Sequence, residues 1–122
     1  MLFRSGDAIT DTVTITGIAQ FNKDFTVQGI NIGKGPGSPG NGNLRVGESA
    51  LGAVTSGTQN TVVGYQAGQA ILIGAANTAI GYQAMQALST GQNNVAVGKA
   101  SMFSATTSAS RNVAIEIGRA HV

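Results

Sequence analysis

The chain has 122 residues, of which 5% are aromatic and 10% charged, with 18 glycines, no cysteine and a formal net charge of +2. So little large apolar material is thin for a compact single-chain core, while the low charge removes the composition typical of a disordered chain. Absent cysteine excludes disulfide staples, thiol nucleophiles and thiolate metal sites, and the scattered Arg4, Lys23, Lys34, Arg45, Lys99, Arg111 and Arg119 form no basic stripe for nucleic acid. The longest apolar run, residues 70–76, is far short of the roughly 18 residues of a membrane span, so no membrane insertion is expected.

The first elements are strands. Residues 12–16 (TVTIT) and 25–32 (FTVQGINI) alternate and favour β-branched side chains, and the polar residues 20–24 supply a turn between them. Residues 1–32 therefore read as an N-terminal β-strand segment. Residues 33–42 contain both prolines and read as a Gly/Pro-rich linker. Gly35, Gly37 and Gly40 match the G-x-G-x-x-G spacing of dinucleotide-binding loops, but that motif needs a helix directly after it to bring amides and dipole to the phosphates. Here Pro36 and Pro39 interrupt it and residues 43–46 continue as strand, so the linker reading stands.

From Asn43 onward one phrase returns. NLRVGESA begins at Asn43, NTVVGYQA at Asn60, NTAIGYQA at Asn77 and NVAVGKAS at Asn94, a period of 17 residues, and NVAI follows at Asn112, 18 residues later. Such recurrence is the mark of a repeat architecture. The fourth position is always β-branched (Val46, Val63, Ile80, Val97, Ile115), which favours an inward-facing strand residue. Gly47, Gly64, Gly81 and Gly98 then close the strand, implying a corner with positive φ or an approach that a Cβ would block. Small residues follow three places on (Ala50, Ala67, Ala84, Ser101), and a polar turn ends the unit.

One strand per 17 residues fits a β-solenoid over residues 43–115, with coils stacked at about 4.8 Å. Stacking places Asn43, Asn60, Asn77, Asn94 and Asn112 in one corner column, where each bonds backbone or its neighbour, or simply favours the turn. The second half of a unit, such as YQAMQAL at residues 82–88, is rich in helix formers and has room for one helical turn or a bent segment. A coil lined by Val, Ile and Ala buries little apolar area, so a second face packed on neighbouring chains is expected, with Leu51, Tyr65, Ile71, Tyr82, Met85 and Met102 as candidates. The tyrosines either stack within the chain at the repeat or form a carbohydrate platform.

The phrases NTVVGYQA, NTAIGYQAM and NVAVGKAS, with linking stretches such as ALSTGQN and the preceding GINIGKGPG, resemble repeats of phage tail fibre and tailspike-like proteins. They are also similar to head repeats of YadA-like trimeric autotransporter adhesins. The resemblance covers residues 29–115 and implies an all-β, left-handed parallel β-roll intertwined as a homotrimer, in a virion tail fibre or on a bacterial surface, meeting a host glycan or protein. Gly68 in place of Leu or Met, Ser101 in place of Ala, and a period longer than in the adhesin heads depart from the pattern.

Residues 116–122, EIGRAHV, break the phrase where glycine is due and match the in-frame translation of a common sequencing adapter, so a non-native tail is expected there. His121, the sole histidine, then has no role. What remains for chemistry is Asp7, Asp11, Asp24 and Glu48, none at a repeated position, and no spacing selects a carboxylate pair for glycoside hydrolysis. Acidic calcium-binding nonapeptide turns are missing, and the single T-x-T rank at residues 12–16 is not the regular array of an ice-binding face. No enzyme activity, metal or cofactor is expected.

Overall fold

The computed structural model describes residues 16–20, 23–36, 41–104 and 108–116, and among these there are seven strands and no helix. The strands are β1 (Phe25–Val27), β2 (Ile30–Gly33), β3 (Leu44–Val46), β4 (Thr61–Val63), β5 (Thr78–Ile80), β6 (Val95–Val97) and β7 (Val113–Ile115). They form one sheet in chain order, with β1, β2 and β3 antiparallel and β3 through β7 parallel. The parallel register pairs Leu44 with Thr61, Thr61 with Thr78, Thr78 with Val95 and Val95 with Val113, so equivalent positions of the repeat lie above one another. This is a β-solenoid of about four coils, each about 17 residues.

The N-terminal segment departs from expectation. Residues 25–32 are two strands of a hairpin, because Gln28 and Gly29 have φ of 47° and 85°, the two-residue turn with positive φ that matches strand twist. Four of the five residues proposed as a strand at 12–16 lie outside the described residues, and Thr16 is not in a strand. β2 joins β3 directly, with Ile32 opposite Val46 and Gly33 opposite Arg45, so the hairpin extends the solenoid's sheet.

The strand faces are reversed relative to the sequence reading. The third position of the phrase points inward, with Val62, Ala79 and Ala96 fully buried, while the β-branched fourth position faces out, Ile80 being 40% exposed. The reason is the glycine that follows. Its corner turns the chain toward the core side, and the small third residues leave room for the large side chains entering from the far wall. Those are Leu51, Met85, Val54, Ile71 and Leu88, all buried. Leu51, Ile71 and Met85 are therefore core residues and not interchain contacts, and Met102 packs against the same cluster.

The helical alternative for the second half of each coil is also overturned. Gln83 and Met85 have φ of 57° and 52°, and their equivalents Ser49, Leu51, Gln66, Gly68, Ala100 and Met102 lie between 47° and 56°. Left-handed residues at alternate positions swing every second side chain inward and leave the amides to the neighbouring coil: Leu51 N–H donates to Ala67 O (2.9 Å), Gly68 N–H to Ala84 O (2.8 Å) and Met85 N–H to Ser101 O (2.9 Å). A single helical turn is marginal by itself, and bonding between coils replaces it.

The departure at Gly68 has a packing explanation. A Cβ there would stand 2.9 Å from Ile71 Cδ1 and 3.2 Å from Val62 Cγ2. In the second coil Val62 and Ile71 fill the space that Met85 fills in the third, where the strand residue is Ala79. The larger Val62 thus takes up part of the space that Met85 occupies beside Ala79 in the third coil.

Candidate functional surface

Three columns of side chains and one face of the sheet are the places where this solenoid could act. The asparagine column is structural. Asn60, Asn77 and Asn94 are fully buried, and each Oδ1 accepts twice from the next asparagine in the column. Asn77 shows the pattern: its N–H and Nδ2 donate to Asn60 Oδ1 at 3.0 and 3.1 Å, Nδ2 also donates to Gly91 O at 2.9 Å, and its Oδ1 accepts from Asn94 N–H and Nδ2. The same bonds start at Asn43, whose own N–H donates to Asn41 Oδ1, and reach Asn112. Among the described residues no buried side-chain polar atom lacks a partner. The column seals one corner and offers nothing to a ligand.

The partners of those Nδ2 groups went unnoticed in the sequence. Gly57, Gly74 and Gly91 stand 17 residues apart, and their carbonyls receive Asn43, Asn60 and Asn77. A Cβ at Gly57 would lie 2.6 Å from Gly74 O, and one at Gly74 the same distance from Gly91 O. The in-register glycine was legible, masked by its setting in a polar turn.

The glycine corner fits its expected role on both grounds. Gly47, Gly64 and Gly81 have φ of 136°, 132° and 133°, and an added Cβ would come within 2.6 Å of the backbone oxygen of the glycine above. Gly98 continues the column with φ of 113°, and the chain above it is Glu116, whose N–H still donates to Val97 O at 2.8 Å.

Beside that corner stands the second candidate, a ridge built from Tyr65, Tyr82 and Lys99 with a row of glutamines. The tyrosine rings stack with centroids 5.6 Å apart and 9° between planes, and Lys99 Nζ sits 5.8 Å from the Tyr82 centroid. Gln83 Nε2 donates to Gln66 Oε1 at 2.9 Å, and Gln86 Nε2 reaches both Gln66 and Gln69. A sugar platform presents an open ring face. Here Tyr82 stacks on Tyr65 and the Lys99 cation lies over the Tyr82 ring, so the intrachain stack is the arrangement found.

The outer sheet face is different in kind. Its two ranks are Leu44, Thr61, Thr78, Val95, Val113 and Val46, Val63, Ile80, Val97, Ile115, extended by Phe25, Val27, Ile30 and Ile32 through the pairing of Ile32 with Val46. No charge interrupts it, and Thr61 and Thr78 are its sole polar residues. Six strand spacings make it about 29 Å long and, at roughly 10 Å across, some 300 Å², the size of the largest apolar patch on an ordinary monomer. Val113 and Ile115 are 71% and 58% exposed at its far end.

Among the described residues no group of three or more His, Asp or Glu could hold a metal ion, and no helix is long and apolar enough to cross a membrane. Comparison with protein-family models, curated proteins and solved structures finds no match to this chain.

Proposed function

We propose that this chain is a non-enzymatic segment of an adhesive fibre, a phage tail fibre that takes part in host attachment, in which three copies of a left-handed β-roll pack around a common axis. The observation that carries the reading is the uncharged apolar strip along the outer sheet face. A stable interface buries about 800 Å² per partner, far more than the strip alone provides to a pair of chains. A three-chain rod with the strip at its axis adds the flanking ridges of each neighbour and makes up the difference. A stack of near-identical coils also suits a shaft, since length is gained by adding units and each coil contacts only its neighbours.

The head-repeat region of a bacterial trimeric surface adhesin is the second reading, favoured by the same period-locked phrase N-x-x-[VI]-G. In both, a glycan or protein of a host cell is the binding partner, and the two separate by whether neighbouring genes encode tail assembly.

The test is the mass of the chain in solution. Multi-angle light scattering at micromolar concentration should give three chains, and Ile80→Glu, which puts a charge in the middle of the strip, should give single chains with an unchanged far-UV spectrum. A monodisperse wild-type monomer would overturn the rod. Binding of the labelled trimer to bacterial cells, compared with the Ile80→Glu variant, tests attachment.

A further inference from the structure

The chain has two tyrosines, and the fold stacks one on the other. Tyr65 and Tyr82 stand one residue past the glycine corner of the second and third coils, and Gln83 N–H donates to Tyr65 O at 2.9 Å, which holds the two backbones one coil spacing apart, about 4.8 Å. The same bond recurs from Gln66 N–H to Glu48 O and from Ala100 N–H to Tyr82 O, so Glu48 and Lys99 are the neighbours of the pair in its column. The stack is therefore an isolated pair, and each ring has one phenol partner at contact. With Tyr65 43% and Tyr82 46% exposed, both rings are open to a reagent in solution.

A phenol that loses one electron also releases its O–H proton, and the unpaired electron of the phenoxyl radical is shared between Oη and the ring carbons beside it, Cε1 and Cε2. When two such radicals meet, one Cε of each forms a carbon–carbon bond, and the hydrogens on those carbons move to the oxygens and restore both aromatic rings. The pair has then lost two electrons and two protons, which convert one molecule of hydrogen peroxide to two of water. A tyrosine side chain turns about two torsions only, so rings already stacked with centroids 5.6 Å apart need a small rotation to bring Cε to Cε. A partner held at this distance acts as if far more concentrated than the rings of other copies at micromolar chain, so coupling within the chain wins.

We propose that Tyr65 and Tyr82 are an oxidative cross-linking site, where a one-electron oxidant of the peroxidase type, using hydrogen peroxide, joins them as dityrosine and staples the second coil to the third. The chain has no cysteine and forms no disulfide, and this bond acts in that place: it ties residues 17 positions apart and restricts the unfolded chain as a disulfide loop does. A coil is held by its neighbours alone, so a tie between two of them keeps the middle of the stack from parting. The bond forms inside one chain and does not depend on how many chains the apolar strip gathers.

The full chain treated with a haem peroxidase and an equivalent of hydrogen peroxide tests it. The product should run as a single chain on a denaturing gel, weigh two hydrogens less, show the blue fluorescence of dityrosine and yield a chymotryptic pair joined through Tyr65 and Tyr82. Its urea midpoint should rise, and exchange of the Gln83 N–H should slow. Tyr82→Phe keeps the ring stack but removes one phenol, and should give no such single-chain product; Tyr65→Phe carries the same expectation if that variant loses the far-UV spectrum of the fold. In concentrated urea, where the rings are no longer held together, the single-chain yield should fall severalfold. Products that only join separate chains, or a wild type that behaves as Tyr82→Phe does, would overturn the site. Equal yields with and without urea would overturn the part played by the stack, and an unchanged urea midpoint after cross-linking would overturn the staple.

Discussion

Replacing Asn77 with alanine should be among the most damaging single changes in the chain, and the structure says why in countable groups. The substitution removes the acceptor of Asn94 N–H and the donor to Gly91 O, leaving two buried backbone groups without partners. Asn60 Oδ1 keeps the Asn77 backbone N–H, and Asn94 Nδ2 keeps Ala109 O, so those are weakened and not orphaned. At about 1–3 kcal/mol for each orphaned buried group, the loss is roughly 2–6 kcal/mol, a large part of the stability of an ordinary domain. Asn112→Ala is the internal control. Its residue occupies the same column with the same chemistry, but it is exposed: of its Nδ2 partners, Asn94 Oδ1 keeps the Asn112 backbone N–H and the exposed Ser110 O can be served by water, so the loss should stay below about 1 kcal/mol. Urea titration followed by far-UV circular dichroism reads both, and with a slope of about 1–3 kcal/mol per molar the Asn77 variant should shift the midpoint by roughly 0.7 M or more. Equal losses at the two positions would refute the ladder argument and reduce these residues to separate turn asparagines.

The remaining predictions use the same titration. Asn77→Asp should depend on pH: burial beside Gly91 O favours the neutral acid, so the folded-state pKa rises above its unfolded value near 3.9. Stability then falls as pH rises through about 4 and levels off above the raised value; a flat profile from pH 3 to 7 would contradict the buried column. Gly81→Val should cost more than the roughly 1–3 kcal/mol of a forbidden φ, because its Cβ also meets Gly98 O at 2.5 Å; no change in midpoint would dismiss the corner. Gly68→Met should overpack the second coil by roughly 1–3 kcal/mol, and adding Val62→Ala, which copies the third coil, should recover part of that loss; strict additivity would refute volume exchange between columns. Ala76→Asn, at φ 55° where the next coil carries Asn93 at 58°, should stabilise by about 0.5–1 kcal/mol, since a left-handed φ penalises alanine more than asparagine.

The sequence by itself determined the period, the strand in each unit, the asparagine column and the glycine corner. These are properties that each coil must satisfy against an identical neighbour, so they repeat in register and are visible as spacing. Which strand face lies inward was decided by the tertiary structure. β-Branched residues are as suited to an exposed apolar strip as to a core, and the choice fell to the small third position because the opposite wall supplies Leu51, Ile71, Met85 and Leu88. Propensity pointed to a helical turn at residues 82–88, but the left-handed φ at Gln83 and Met85 comes from bonding to the adjacent coils, which a single unit does not contain. The hairpin turn at Gln28 and Gly29 was hidden inside an unbroken β-favouring run, and the hairpin is fastened where Asp24 meets Arg45, 21 residues away, at the end of the stack. The repeat is a local rule read once per coil, whereas the ends and the inward face depend on what stands next to them.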